Sequence, residues 1–510
     1  MLDQGTNNLE DLPCGLEALL FVIYGAAVHS MDDDACTMRL GEARNTLQRR
    51  YRYAARKALA RARFVSTSEL IVLQAFTLHL LTMREFHDSR TTWIFAGVAA
   101  RIAQVIGIHV DGTDLGLSPF ETEMRRRLWW QIAILESRSA ELTGSRRSSN
   151  IELSNVQLPT NVEDADIWPE MSTAVTARVK PTESIACLIR YELVAFWDAR
   201  SAGLSSLVAD HISISLPSAA ALKQSDSMID ELEQLLEGKY LRYCDPATPI
   251  QLLAIIIARS AINVYRLKAH HPRRYPRNTV VPDKERELLW RLCIKLLEHD
   301  NLAHSSRQIR RFMWHSKVYF QWQAIIYLLG ELRNHTLGPK VEYAWQQIED
   351  VFYHHPNFIT DWKKPLHVAV GRLCLKAFRA REAALRDLPN RSHSMATPKF
   401  ITQLRAQPGN GSLPGSRRTP PVPTTTSAPL ELLPTLVQPR TVSNRNEIRA
   451  RLSTPSNLTP HQTSTAIRPD ETDENCLLDW TFADDLGMTD LPIDWALWDS
   501  MIEDSNVQQA

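Results

Sequence analysis

The stretch that most limits the fold lies between Ser118 and Gly144 and reads as one long helix with a marked start and stop. Ser118 and Glu121 have capping-box spacing: the hydroxyl can accept from the Glu121 N–H while the carboxylate reaches back to the Ser118 N–H. Pro119 suits the first helical position, where its missing donor costs nothing. Gly144 tolerates the left-handed conformation that ends helices. A helix between them is roughly 37 Å long, at ~1.5 Å per residue. Phe120, Met124, Leu128, Ile132 and Leu135 recur at helical spacing, and Trp129, Ile134 and Leu142 widen the stripe. A helix apolar over so much of its girth is buried on more than one side.

The same periodicity runs through most of the chain, so the fold expected is all-α. Residues Leu9 to Asp387 read as nearly continuous helix, with segments at Leu16–His29, Leu40–Arg63, Ser68–Phe86 and Trp93–Gly107. Ile185–Leu207, Ala221–Leu241, Pro249–Lys268, Val341–Tyr353 and Leu366–Leu385 continue it. Ile309–Leu332 carries Phe312, His315, Tyr319, Trp322, Ile326 and Leu329 and reads as a buried core helix, too short for a coiled coil. In Trp93–Gly107, the small residues Ala96, Gly97, Ala100, Ala103 and Gly107 suit close packing of another helix.

Arg125, Arg126 and Arg127 invite a nucleic-acid reading, which helix geometry opposes. Consecutive residues rotate by ~100°, so the three guanidinium groups fan around the cylinder. Glu121–Arg125 and Glu123–Arg127 are i,i+4 pairs of the better orientation, and Arg126 can lie over Trp130 one turn on. They read as framework. Leu40–Arg63 also carries many arginines, with Arg49, Arg52, Arg56 and Arg63 near one face. The opposite side is Leu47, Tyr51, Ala54, Ala55, Ala58, Leu59 and Ala62, as on a solvated surface helix.

Charge and cysteines narrow the function classes. The 58 basic and 58 acidic side chains cancel, so no net field draws the chain to nucleic acid or membrane. Seven cysteines are scattered singly without a C-x-x-C, which argues against a disulfide framework and against a clustered zinc site. No segment reads as the ~20 apolar residues of a membrane span.

The composition changes twice near the C-terminus. Residues 388–469 are rich in proline, serine and threonine and read as a disordered linker. Residues 470–510 hold twelve Asp or Glu and no Lys or Arg. Trp480, Phe482, Leu486, Leu491, Trp495, Leu497 and Trp498 are interleaved among those acids. Acidic–hydrophobic alternation is the composition of an activation segment. Repulsion between carboxylates keeps the aromatics in water, free to fold onto a partner groove; docking back onto the helical body is the alternative.

Two elements together carry a family resemblance. One is Arg125-Arg126-Arg127-Leu128-Trp129-Trp130, and the other is Leu158-Pro159 with Asn161 and Asp164. They resemble signature elements of the regulatory middle region of fungal zinc-cluster transcription factors, over roughly Leu12 to Leu385. The resemblance implies a helical regulatory domain over 1–387 of a nuclear transcription regulator, with a biosynthetic gene cluster as its target. It also implies recruitment of the transcription machinery through the tail and dimers with itself or with zinc-cluster factors. The family's zinc is expected, but its six-cysteine ligand set does not occur in this sequence, so no cofactor and no direct DNA contact by that module are expected. The chain is then a regulator without its zinc cluster, a co-regulator of an intact factor, or the product of an incomplete gene model. A metal-dependent helical enzyme is the weakest reading. Asp32-Asp33-Asp34 lacks a second metal motif and reads as a helix cap, and no catalytic motif stands out. His270-His271 and His354-His355 read as helix ends.

Overall fold

The computed structural model describes residues 12–84, 86, 89–143, 154–201, 219–271, 281–316, 320–361, 364–387 and 397–407. Every regular element among them is a helix. α1 (Cys14–Ser30) is followed by the short α2 (Asp33–Leu40), α3 (Arg44–Arg61) and α4 (Leu70–Met83). α5 (Ser89–Ile106), α6 (Pro119–Thr143), α7 (Ile185–Ser201), α8 (Ala219–Lys239) and α9 (Pro249–Ala269) complete the first half. The second half comprises α10 (Asp283–Ser305), α11 (Met313–Ser316), α12 (Trp322–Glu331), α13 (Pro339–His354), α14 (Asn357–Thr360), α15 (Pro365–Arg386) and α16 (Lys399–Arg405).

Two apolar cores organise these helices. The first is built around Leu59, Phe76, Ala100, Trp129, Ile132, Leu135 and Ile189 from α3 to α7, with Leu232 of α8 and Ala258 of α9. The second gathers Leu289, Ile325, Leu328, Ile348, Cys374 and Phe378 from α10 to α15. Helix α9 serves both: Ala254, Ala258 and Ile262 enter the first core, and Val264 and Leu267 the second. Among the described helices it is the one long and apolar enough to cross a membrane by length and composition, which the sequence reading overlooked. Its arginines explain its place here. Arg266 pairs with Asp230 and Glu233 of α8, both at 2.7 Å, and Arg259 pairs with Glu233 and Glu237.

Several expected elements changed shape. Leu40–Arg63 is interrupted: Asp32 caps α2 by accepting from the Ala35 N–H at 2.8 Å, and Gly41 ends it at φ 73°. The aspartate triplet is therefore a helix start, and α3 begins only at Arg44. Ile309–Leu332 is not one helix. A 3-10 turn at Arg310–Phe312 and the four-residue α11 precede α12, whose N-cap is Gln321. Phe320 lies outside a helix, yet it is buried between Trp322, His355 and Phe358. The apolar residues of this stretch thus reach the core through a bend that periodicity does not reveal. Leu142, expected to widen the α6 stripe, is 39 % exposed. Helix α16 falls inside the stretch read as linker, but Phe400, Ile401 and Leu404 are buried in the second core. The folded body therefore runs at least to Gln407.

Candidate functional site

The signature residues converge on two loops, one before α6 and one after it. The first loop starts where Gly107 takes φ 81° and the Ile108 N–H bonds back to the Ala103 carbonyl at 3.0 Å, closing α5. It then presses Gly112 against α6. A Cβ at Gly112 would lie 2.9 Å from the Thr122 Cα, so only glycine fits. That contact sets the neighbouring Asp111 under α6, 2 % exposed.

Asp111 is the hub. Its carboxylate accepts from Arg126 Nε and Nη2, both at 2.7 Å, in a two-pronged pair. It also accepts from the Thr113 hydroxyl at 2.6 Å, the Thr113 N–H at 3.1 Å and the Gln157 N–H at 3.0 Å. Burial alone would raise its pKa. The hydrogen bonds from Arg126, Thr113 and Gln157 outweigh it and hold the carboxyl well below the usual carboxylate range. Arg126 is therefore committed to Asp111 and does not make the expected stack on Trp130.

The second loop is stitched to α6 by the rest of the signature. The Trp130 indole N–H donates to the Gln157 carbonyl at 2.9 Å. Glu123 accepts from Arg127 at 3.0 Å and from the Thr160 N–H at 3.1 Å, and Arg127 reaches Asp164 at 2.6 Å. Asn161 donates to the carbonyls of Arg178 and Lys180 at 2.6 and 3.0 Å and accepts from the Thr182 hydroxyl at 2.8 Å. Pro159 is buried and Leu158 half-buried, while Leu128 and Trp129 face the first core. Arg125 alone among the arginines stays local, paired with Glu121 at 3.0 Å. The capping box is half formed: the Glu121 N–H donates to the Ser118 hydroxyl at 3.2 Å, and its carboxylate serves Arg125. The three arginines thus point to three different partners around the helix. The partner of Arg126, Asp111, carries no spacing signal, since it lies in a turn 15 residues away.

A cavity of about 240 Å³ opens where α6, α7, α9 and α10 meet Phe320. Its wall is mostly apolar, with Ile134, Leu193, Ile257 and Leu297 prominent. One edge is charged: Glu141 sits between Arg138 and Lys268 and pairs with both. Burial raises the Glu141 pKa, but those two cations prevail and keep it well below its ordinary value. The lining also holds His299, which shares a 3.0 Å hydrogen bond with the Ser260 hydroxyl. Burial lowers the His299 pKa and favours the neutral ring. Apolar walls with a few converging polar groups, enclosed between bundled helices, are the usual form of a small-molecule site.

Other candidate residues resolve plainly. On α3, Arg50 pairs with Glu42 at 2.7 Å, Arg61 with Glu17, and Arg52 lies over the Phe86 ring. Of the four arginines expected on one face, Arg49 and Arg63 are exposed and Arg52 and Arg56 are half-buried, so that face is only partly solvated. His270 does end α9, but it also bridges Asp226 and Glu285 at 2.9 and 2.8 Å. Trp480, Phe482, Leu486, Leu491, Trp495, Leu497 and Trp498 lie outside the described residues.

Comparison with known proteins agrees with this picture. Residues 5–244 match the family described as the fungal specific transcription factor domain. An aurofusarin cluster transcription factor of Gibberella zeae is 36 % identical over 376 residues, covering 73 % of this chain and 55 % of the relative. A pyriculol/pyriculariol biosynthesis cluster transcription factor of Pyricularia oryzae is 30 % identical over 400 residues, 78 % of this chain and 53 % of the relative. A transcriptional regulator of Aspergillus aculeatus is 28 % identical over 396 residues, 76 % and 53 % respectively. The chain thus spans about half the length of the curated relatives it matches. No solved structure matches it. The clamp of α6 and its two loops lies wholly within residues 5–244, the region similar to the fungal specific transcription factor domain.

Proposed function

We propose that this chain is a nuclear transcription regulator of a biosynthetic gene cluster, its helical body serving as a regulatory platform and its 470–510 tail as the activating segment. The observation that carries this reading is the interlocked signature, in which Arg127, Trp130 and the Arg126–Asp111 pair hold the Gln157–Asp164 loop inside a region shared with relatives named for such clusters. A saturated polar clamp is a device for rigidity. It fits a scaffolding part, and the relatives' names as transcription factors favour a non-enzymatic role. The tail would recruit the transcription machinery through its tryptophans and leucines. The body would pair with a second copy or with a zinc-cluster factor, which would supply the contact with DNA and hold the zinc.

The cavity gives the platform a means of control. Its Arg138–Glu141–Lys268 edge and apolar wall suit a small, largely apolar molecule with an oxygen-rich end. The test is a fusion of the whole chain to a heterologous DNA-binding domain with a reporter. Strong reporter output that disappears on deleting residues 470–510 supports the reading. A silent whole-chain fusion, together with a silent fusion of the tail alone, overturns it. Co-purification of a zinc-cluster factor with the tagged chain tests the pairing.

A further inference from the structure

Beside the cavity, where α10 meets the end of α13, four imidazole and carboxylate groups stand together that the regulatory reading does not use. Asp300 and His304 are one turn apart on α10, and His354 and His355 close α13. Donor atoms of Asp300, His304 and His355 all lie within 4.8 Å of one another. The His304 and His355 side chains are 10 % and 7 % exposed.

The hydrogen bonds at this place are unequal. His304 Nδ1 meets the Asp300 main-chain carbonyl at 2.9 Å. A carbonyl only accepts, so Nδ1 carries the proton and Nε2 carries the lone pair. That Nε2 is fully buried and has no protein partner. A buried acceptor left without a donor is costly, unless it is directed at something else. Metal-binding histidines show this arrangement: one nitrogen donates to a carbonyl and fixes the ring while the other points at the ion. His355 Nε2 lies 2.7 Å from Asp300 Oδ2, and its ring is stacked at 4.6 Å on Phe358 and held by Phe320. The His304 and His355 rings are 4.4 Å apart. The His354 ring, at the end of α13, stacks on that of His304.

The backbone around the cluster is fixed as well. Asn301 donates from Nδ2 to the carbonyl and side-chain oxygen of Gln347, both at 3.0 Å, and locks α10 against α13. The Tyr343 hydroxyl ties the same two helices by donating to Glu298 at 2.6 Å. The three donors are thus presented by two helices that cannot slide.

We propose that Asp300, His304 and His355 bind one divalent transition-metal ion of the zinc(II) type. Two imidazoles and one carboxylate match the ligand preference of that class and leave a coordination position open. Tetrahedral ligands at ~2.0–2.2 Å from zinc stand roughly 3.4 Å apart, so small side-chain rotations bring the trio into range. The ion takes the place of the proton between His355 Nε2 and Asp300 and gives the His304 lone pair its partner. Asp300 also lines the cavity, so an oxygen donor of a molecule bound there can complete the coordination.

The test uses the full chain, stripped with chelator and titrated with zinc(II) or cobalt(II) chloride. One equivalent is expected to bind, with visible cobalt ligand-field bands. The variants His304→Gln and His355→Asn are expected to bind at least ~10–100-fold more weakly, the range known even for outer-shell changes. His335→Gln, at an exposed histidine, is expected to bind as the parent does. X-ray absorption of the zinc-loaded parent needs no variant: it should show nitrogen and oxygen neighbours with two imidazoles and no sulfur. Absence of binding, a sulfur shell, or unchanged affinity in both site variants overturns the proposal. None of these readouts depends on transcriptional activity, so failure here is distinct from failure of the proposed function.

Discussion

The clamp around Asp111 and the crevice around Asp300 are both polar sites buried between helices, and they are built on opposite terms. Asp111 accepts five hydrogen bonds, two of them from one guanidinium. Nothing is left over for a ligand. At Asp300 the His304 Nε2 has no protein partner, and an apolar cavity begins at the same carboxylate. The difference separates framework from function. A saturated network pins loops in one arrangement, while an unsatisfied one keeps binding capacity in reserve at some cost in stability.

The sharpest test of this contrast is Asp111→Ala. It strands the Arg126 charge beneath two loops and should cost ~3–5 kcal/mol, read as a lower urea midpoint of the full chain. The acid limb gives the same answer by another route. The Asp111 pKa is depressed on folding, so its contribution is whole above the unfolded value of ~3.9 and disappears as pH falls toward the folded one. Arg126→Gln should flatten that limb of the stability–pH curve, and an unchanged limb would remove Asp111 from its role as hub.

Smaller effects compare packing on the two sides. Ala100→Leu in the first core, where the alanine is 3 % exposed, should cost ~1–3 kcal/mol through overpacking. Trp130→Phe keeps an aromatic ring but removes the donor to the Gln157 carbonyl and part of the buried indole, for a loss of about 1–2 kcal/mol in the same measurement. Least of all, Ala261→Leu projects into the cavity and should change stability by less than ~1 kcal/mol. Equal penalties at Ala100 and Ala261 would mean that the cavity is closed in solution.

Much of the scaffold was readable in the chain because its signals are local. The stripe on α6, its start at Ser118 and the cap at Asp32 all depend on residues within one or two turns. Rotation by ~100° per residue already spreads Arg125, Arg126 and Arg127 around the helix, and they meet three different partners. What stayed hidden is non-local. Asp111 meets Arg126 from a turn, Gln157 comes from beyond α6, and His355 reaches Asp300 from 55 residues away. No spacing rule connects such partners. Helix α16 was missed because prolines and polar residues surround a seven-residue segment too short to show a period. The two-histidine ends of α9 and α13 are visible in the sequence, but their carboxylate partners Asp226 and Asp300 lie 44 and 55 residues away.

One feature of α9 bears on how the protein comes apart. Its two flanks supply residues to separate cores, so it works as a common spine instead of a hinge. Opening of either core exposes one flank of α9, which couples the two halves. Hydrogen exchange of the α6 and α13 amides should therefore follow one shared opening event. A molecule wedged beside Ala261 would retard that exchange on both sides at once.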